Sequence, residues 1–356
     1  MQGILKLLAR PKAQGARIWW RLGLLVVLLA LPFGAPPYIR SLMIEVLIFA
    51  IFAMSLDLLL GYTGLVSFGH AAYFGLSGYV LAYSAARLGP NLLVTVPLVA
   101  LASSLAAFVI GFFALRTSGI YFLMLTLAFA QMFFGLAIKW TAVTGGSDGL
   151  PVDRPYLGVG DLTIHFGSDT NFYYLALAVF LGSWWVLARI VGSPFGHALR
   201  GIKENEARMR ALGYDTWRYK IIAFVIAGLL AGLAGMLLAA FNRHVAPETL
   251  YWTTSGQVII MVLVGGAGSL SGPILGAALV HLLPSYVSSY TDRWQSILGL
   301  VFIAFVLFAP QGIYGLIHGP GTRRQETRGT RRETADQATG KGRSGDGVMR
   351  EETGDT

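Results

Sequence analysis

The chain has 356 residues, of which 55% are hydrophobic and only 13% are charged, and its mean hydropathy is +0.62. Soluble domains carry about 25% charged residues, so this composition excludes a soluble globular protein. The net charge of +9 does not indicate nucleic-acid binding, because the cytoplasmic loops of membrane proteins concentrate basic residues. The absence of cysteine excludes disulfides and thiolate metal sites. The apolar runs are continuous rather than alternating, which predicts an all-α polytopic membrane protein with about 8–10 transmembrane or half-membrane helices.

The N-terminal segment, 1–21, is basic and contains no acidic residue, which predicts a cytoplasmic N-terminus. The first apolar run, 22–31, has the length of a signal-peptide core, but no small-residue cleavage pattern follows it. We therefore predict an uncleaved first span and a membrane domain that extends over 22–317.

Four more spans are predicted from apolar runs at 41–60, 64–86, 92–115 and 120–138. Five spans from a cytoplasmic start place the next loop, 139–171, outside the membrane. That loop carries four aspartates against one lysine and one arginine. Such an acid-rich balance is typical of a non-cytoplasmic loop and agrees with the count of spans.

After a span at 172–191, a polar segment at 193–220 is enclosed by apolar runs, and its basic residues indicate a cytoplasmic loop. Its middle, from Ala198 to Leu212, combines helix-forming residues with opposite charges three and four positions apart, which predicts one short surface helix. Gly213 is typical of the glycine that ends such a helix. A simpler alternative stays open, in which the loop is only solvated and its charges set the topology.

The last part of the membrane domain is predicted to contain a broken helix. A span is expected at 221–241, but the apolar run at 257–284 is interrupted by glycines, serines and a proline at 265–273. Because no regular helix survives this composition, we predict two half-membrane helices, followed by a last span at 297–308. Residues 318–356 nearly lack large apolar side chains, which predicts a disordered cytoplasmic tail.

Two glycine-rich segments, Gly61 to Gly69 and Gly265 to Gly272, suggest an internal repeat, although chance similarity is an alternative. Irregular backbone at membrane depth survives only where protein or a water-filled cavity satisfies it, so such breaks commonly lie beside transport pathways. The residues predicted to line a translocation pathway are Asp57, Gly64, Ser67, His70, Gly265, Gly266, Gly268 and Ser269. Asp57 and His70 could instead lie near helix ends, where they would reach water or cap the helices.

Several short runs occur in one order along the chain: Ser55 to Gly61, Thr63 to His70, Thr144 to Gly149, Arg200 to Glu206 with Ala211 to Gly213, and Val264 to Ser269. Together they resemble the LivM-type permease subunits of branched-chain amino-acid ABC importers. Each run alone would be a weak signal, whereas their common order is specific. The resemblance extends from Ser41 to Gly315, so the basic N-terminus and the arginine-rich tail lie outside it.

The resemblance implies that the segment 193–220 couples the membrane helices to an ATPase. The coupling residues that it implies are Leu199, Arg200, Ile202, Lys203, Glu204, Glu206, Met209 and Gly213. We expect the apolar residues Leu199, Ile202 and Met209 to fill a groove on the ATPase, and the charged residues to form a polar rim. ABC permeases often carry Glu-Ala-Ala in this helix, whereas here an arginine follows Glu206 and Ala207. The role of the loop is therefore carried over, and not the role of each residue.

The resemblance also implies partners and a location. The chain would pair with a second, homologous permease, sit on two cytoplasmic ATPase subunits that bind ATP and Mg, and receive substrate from a periplasmic binding protein. It would bind no cofactor itself and would lie in the bacterial inner membrane with both termini in the cytoplasm. The expected cargo is branched-chain or other hydrophobic amino acids, and urea or short amides are the alternative within the family.

Two other functional classes fit the sequence less well. A self-sufficient channel or ion-coupled carrier is expected to place several acidic residues inside its spans, and only Glu45 and Asp57 do so here. A membrane enzyme needs convergent nucleophiles, bases or metal ligands, and six histidines without ligand spacing do not supply them. The sequence also lacks a phosphate-binding loop motif, so ATP hydrolysis is expected on separate subunits.

The predicted topology determines where a membrane-impermeant thiol reagent reaches the chain in intact cells. The protein has no native cysteine, so single-cysteine variants report one position each. Ser168→Cys should be labelled, because it lies in the predicted external loop, whereas Asn205→Cys should stay unlabelled until the cells are opened. The reverse pattern would overturn the predicted orientation.

Overall fold

The computed structural model describes residues 26, 28–159, 162–289, 293–308 and 312–318, and most of these residues are helical. In chain order the helices are α1 (Pro37–Leu60), α2 (His70–Leu88), α3 (Leu92–Ala114), α4 (Ile120–Lys139), α5 (Thr141–Thr144), α6 (Asp169–Val191), α7 (Pro194–Glu204), α8 (Glu206–Ala211), α9 (Thr216–Asn242), α10 (Trp252–Gly265), α11 (Ser271–Val287), α12 (Trp294–Phe308) and α13 (Gly312–His318). Residues 28–34 are also helical. The chain divides into the units Met1–Tyr314 and Gly315–Thr356, and of the second only 315–318 are described. The predicted N-terminal segment 1–21 and the tail from 319 onward lie outside the described residues.

Among the described residues, five helices are long and apolar enough to cross a membrane: α1, α3, α4, α6 and α9. This confirms the all-α polytopic class. The run at 257–284 is broken as predicted, because α10 and α11 are separated by non-helical residues at 266–270. With 14 residues, α10 rises only about 21 Å, which is less than the hydrocarbon thickness of about 30 Å.

The span predicted at 64–86 is corrected at its start. Residues 61–69 are not helical, and α2 begins only at His70. Gly64 has a φ of 78°, in the left-handed region that a right-handed helix cannot contain. Both predicted glycine segments are therefore helix breaks.

Side-chain caps determine where several helices begin. The side chain of Asn91 accepts a hydrogen bond from the Leu93 N–H at the start of α3, and Ser168 caps α6 in the same way. Asp215 accepts from the Arg218 N–H. Because of this cap, α9 begins at Thr216, five residues before the predicted start of that span.

Short strands mark one end of the helices, which we call the hairpin end. There β1 (Leu150–Pro151) pairs antiparallel with β4 (His244–Val245), and β2 (Tyr156–Val159) pairs antiparallel with β3 (Leu162–His165). Asn91, between α2 and α3, donates to the Gly158 carbonyl at 2.9 Å. The opposite end, which we call the loop end, carries the segment 193–220 and both glycine breaks. The described part of the predicted external loop, 139–171, thus lies at the end opposite the basic segment.

The two most buried long helices, α1 and α9, lie at the centre of the packing. Close approach of α9 to α2 and α3 depends on three glycines. A Cβ atom on Gly228 would clash with Ala107, one on Gly232 with Ser103, and one on Gly235 with the backbone of α2. Small residues allow membrane helices to approach closely where no hydrophobic effect drives them together. In contrast, α3, α4 and α6 keep exposed apolar side chains, which suit contact with lipid.

The segment 193–220 contains two helices, α7 and α8, and the prediction of one helix from Ala198 to Leu212 was wrong. The break is at Asn205, whose backbone is extended (φ −157°, ψ 97°) and whose side chain caps α8 by accepting from the Arg208 N–H at 2.9 Å. Asparagine favours this cap position over a helix interior. Gly213 has a φ of 88°, which confirms the predicted glycine stop.

Candidate functional site

The two glycine breaks meet at the loop end, although 211 residues separate the groups that join them. Asp57, in the last turn of α1, accepts a hydrogen bond through Oδ1 from the backbone N–H of Gly268 at 2.7 Å. A Cβ atom on Gly61 would clash with the Asp57 carboxylate and with the Gly268 amide nitrogen. The contact therefore requires glycine at position 61.

The break between α10 and α11 is a tight turn that satisfies its own backbone. Gly266 and Gly268 have φ values of 111° and 84°, which favour glycine. Ser269 Oγ donates to the Gly266 carbonyl at 2.9 Å and accepts from the Gly272 N–H at 3.2 Å. Neither Gly265 nor Gly272 has room for a Cβ atom, because their backbones pack against each other. These contacts give the turn a defined shape.

Lys203, at the end of α7, reaches the break between α1 and α2. Its Nζ donates to the Gly61 carbonyl at 2.6 Å, and its aliphatic stem lies beside Gly64. The Arg200 guanidinium lies 5.2 Å from the centre of the Tyr62 ring. The sequence placed Lys203 and Arg200 in a polar rim against a partner. The structure shows that the Lys203 ammonium bonds within this chain, and both residues are exposed, so their place in a rim stays a prediction.

Of the predicted pathway residues, the structure joins Asp57 to Gly268, whereas Ser67 and His70 contact other parts of the chain. Gly64 and Gly268 are exposed at the loop end, whereas Gly265 and Gly266 are buried and Ser269 is half-buried. The side chains of Asp57, Ser67 and His70 are fully buried. A role for these residues in a pathway stays a prediction.

Two histidines lie inside the helix packing. Neither ring nitrogen of His70 has a hydrogen-bond partner among the described residues, and its ring lies between those of Phe52 and Tyr73. His281 Nδ1 lies 3.9 Å from a carboxylate oxygen of Glu45. Sequence reasoning missed this pairing, since the signal was only that each residue interrupts an apolar run. In the described part of the chain, no three His, Asp or Glu side chains group as metal ligands.

Two of the predicted ATPase anchors are buried inside this chain. Leu199 is 0% exposed and Ile202 is 3% exposed, because α7 packs its apolar side onto α6 and α9. Met209 is half-buried, with its sulfur against Gly201 of α7. The prediction that Leu199 and Ile202 fill a groove on a partner was wrong. An amphipathic helix buries its apolar stripe against the nearest apolar surface, which here belongs to the same chain.

Glu206 fastens α8 to the start of α9. One carboxylate oxygen lies 2.5 Å from Lys220 Nζ, and the other accepts from the Thr216 hydroxyl at 3.1 Å and lies 3.2 Å from Arg210. Burial by itself would raise the pKa of Glu206, but the hydrogen bond and charge of Lys220, with smaller contributions from Thr216 and Arg210, hold this pKa below its ordinary value. The carboxylate is therefore charged at neutral pH. Glu204, by contrast, is exposed.

Different apolar side chains of the segment 193–220 face outward. Leu212 is 67% exposed and Tyr214 is 41% exposed. Beside them lies a groove of 570 Å³, lined by the turn at 115–118, by residues 213–217 and by polar side chains of α8 and α9. Sequence reasoning did not consider Leu212 as an anchor, although a large apolar residue directly before the glycine stop was a visible signal.

A family model described as branched-chain amino acid transport system / permease component matches residues 38–309. The chain belongs to this family. The permease is 28% identical over 326 residues to the high-affinity branched-chain amino acid transport system permease protein LivM of Salmonella typhimurium. The match covers 85% of this chain and 77% of that protein. Identity to the Escherichia coli protein of the same name is 27% with the same coverage. No solved structure matches the chain.

A shorter match links the permease to a second type of subunit. Over 157 residues it is 27% identical to a probable branched-chain amino acid transport permease protein LivH of Methanocaldococcus jannaschii, over 40% of this chain and 47% of that protein. These relatives are transport permeases. The chain is therefore a permease subunit of an ABC importer, and the self-sufficient channel or carrier is not favoured.

Because the two breaks are in close contact at Gly61, we predict that adding one methyl group there lowers the stability of the protein markedly. Gly61→Ala should destabilise the protein by about 1–3 kcal/mol, because the added carbon overpacks the site between Asp57 and Gly268. Gly135→Ala is the matched control, since a Cβ atom on Gly135 would meet nothing within 4 Å. Thermal unfolding in detergent measures both. If Gly61→Ala unfolds at the same temperature as Gly135→Ala and the wild type, the two breaks do not pack as closely as described.

Proposed function

We propose that this permease carries branched-chain or other hydrophobic amino acids as one half of a two-permease pathway. The observation that carries the proposal is the family match over 38–309, together with relatives whose names specify branched-chain amino acid transport. The partial match to a LivH protein supports a homologous second permease as partner. No observation on the described residues favours urea or short amides.

In this proposal the loop end faces the cytoplasm of a bacterial cell and the hairpin end faces the periplasm. The loop end carries the basic segment 193–220, and the hairpin end includes the acid-rich loop 139–171. Basic residues accumulate on the cytoplasmic side, which supports this orientation. Two ATPase subunits would then bind ATP and Mg beneath the loop end, and a periplasmic binding protein would deliver substrate at the hairpin end. Both termini are proposed to be cytoplasmic, on the charge of the N-terminal segment and the tail.

The pathway is proposed to pass the two glycine breaks. Backbone at Gly64 and Gly268 is exposed, so carbonyl groups at the breaks can contact a polar ligand in a way that a regular helix does not allow. Broken helices in transporters present backbone groups in this manner. Asp57, Ser67 and Ser269 would act by shaping the breaks, because their polar atoms bond to the backbone there.

The docking surface for the ATPase is proposed to include Leu212 and Tyr214, in place of the buried Leu199 and Ile202. Aromatic side chains such as tyrosine are enriched at protein interfaces, and an exposed aliphatic side chain beside one adds apolar area that a partner can bury. The neighbouring groove of 570 Å³ offers a concave surface for a projecting side chain of the partner. Glu206 supports this surface by holding α8 against α9.

ATP-driven uptake tests the function directly. The permease is reconstituted in proteoliposomes with the proposed second permease, ATPases and binding protein. We expect uptake of labelled leucine that needs ATP and that isoleucine and valine inhibit but urea does not. Uptake without ATP would contradict the importer class, and inhibition by urea alone would contradict the cargo.

A pair of substitutions tests the revised docking surface. Leu212→Asp should leave a folded permease that binds its sister permease but loses the ATPase, because removing an interface anchor costs about 2 kcal/mol or more, roughly 30-fold in affinity. Ile202→Asp should reduce the amount of folded protein, since it buries an unpaired charge. Copurification and size-exclusion chromatography separate the two results. If Leu212→Asp retains the ATPase at normal stoichiometry, the docking surface lies elsewhere.

A further inference from the structure

Two hydrogen bonds leave the same turn of α1 and run to different elements. The Gly61 carbonyl accepts from Lys203 of α7 at 2.6 Å, and the Asp57 side chain accepts from Gly268 at 2.7 Å. The Gly61 N–H also donates to the Asp57 carbonyl at 2.7 Å. Both long-range bonds are therefore attached to one hydrogen-bonded turn, which joins α7 to the break between α10 and α11.

The Lys203 bond is favourable for electrostatic reasons. Carbonyl groups at the C-terminus of a helix lack intrahelical donors and carry the negative end of the helix dipole, so a cation there is stabilising. The Asp57 side chain, fully buried one turn earlier, bonds the same helix end to Gly268. Lys203 thus caps α1 from outside that helix.

The helix that carries Lys203 is held as one piece. Leu199 and Ile202 bury one side of α7, and the Ser193 side chain caps its start. Asn205 then separates α7 from α8 and from the exposed Leu212. If α7 moves as a rigid helix, the bond from Lys203 at its end to the Gly61 carbonyl displaces the break between α1 and α2 with it.

We propose that Lys203 is a positioning residue that transmits movement of the segment 193–220 to both glycine breaks, with Asp57 as the second step. The inference rests on the proposed coupling to an ATPase. It gives Lys203 a task inside this chain, and not in the rim of an interface.

The test uses three variants of the complete importer in proteoliposomes. Lys203→Met keeps an unbranched stem beside Gly64 but removes the donor, whereas Lys203→Arg keeps charge and donors. Arg218→Met is the matched control, because Arg218 is an exposed cation at the same end, 77% exposed and paired with Asp215. The measured quantity is leucine transported per ATP hydrolysed.

Lys203→Met is expected to assemble with the ATPases and to hydrolyse ATP, while transport per ATP falls about tenfold. This is the factor by which loss of one charge-assisted hydrogen bond changes an equilibrium. Lys203→Arg should recover most of the ratio, and Arg218→Met should keep the wild-type ratio. A merely structural role for Lys203 would reduce the amount of assembled complex and leave the ratio unchanged, and that result would overturn the proposal.

Hydrogen exchange gives a second measurement that does not depend on transport. In the purified chain, the amides of 265–270 should exchange faster in Lys203→Met than in Arg218→Met, because the link reaches the second break through Asp57. Equal exchange in the two variants would overturn the link. Absence of ATP-driven uptake by the wild-type importer counts against the proposed function, whereas wild-type uptake with an unchanged ratio in Lys203→Met counts against the link alone.

Discussion

A helix that stops at membrane depth leaves backbone N–H and C=O groups that lipid cannot satisfy, and each unsatisfied group costs several kcal/mol. In this permease α1 and α10 end beside each other at the loop end, where side chains satisfy part of this backbone. Asp57 accepts from the Gly268 N–H, and Lys203 donates to the Gly61 carbonyl. The arrangement of the loop end follows from these bonds, because α7 has to bring its last turn close to α1. Because the last turn of α1 is bonded both to α7 and to the break between α10 and α11, displacement of α7 can displace that break.

Close helix packing makes this meeting of breaks possible. The glycines of α9 allow α2 and α3 to approach its backbone, and α1 lies buried beside them. Small residues let the central helices pack closely, while α3, α4 and α6 also keep large apolar side chains exposed. The permease therefore has a tightly packed centre and an apolar periphery, and irregular backbone lies at both the loop end and the hairpin end.

The segment 193–220 has two sides with different physical roles. Its apolar stripe, with Leu199 and Ile202, fixes α7 to the chain's own core. Its outer side presents Leu212 and Tyr214, and the charged Glu206 holds α8 in place through Lys220. Burial on one side lets the segment act as part of the membrane domain, while exposure on the other leaves a surface for a partner.

The sequence by itself determined the helical class, the broken helices, the basic loop between apolar runs and the family, because each depends on local composition or on the order of motifs along the chain. It also indicated Asp57, Gly61 and Gly268 as unusual, since charges and glycines interrupt apolar runs there. Only the tertiary structure decided that these residues meet, because residues 211 positions apart come together through packing that no local pattern specifies. The same holds for α7: its sequence shows an apolar stripe, but a stripe buries against whichever apolar surface is nearest. In the folded chain that nearest surface is the permease's own core, so Leu199 and Ile202 are buried, whereas Leu212 stays exposed.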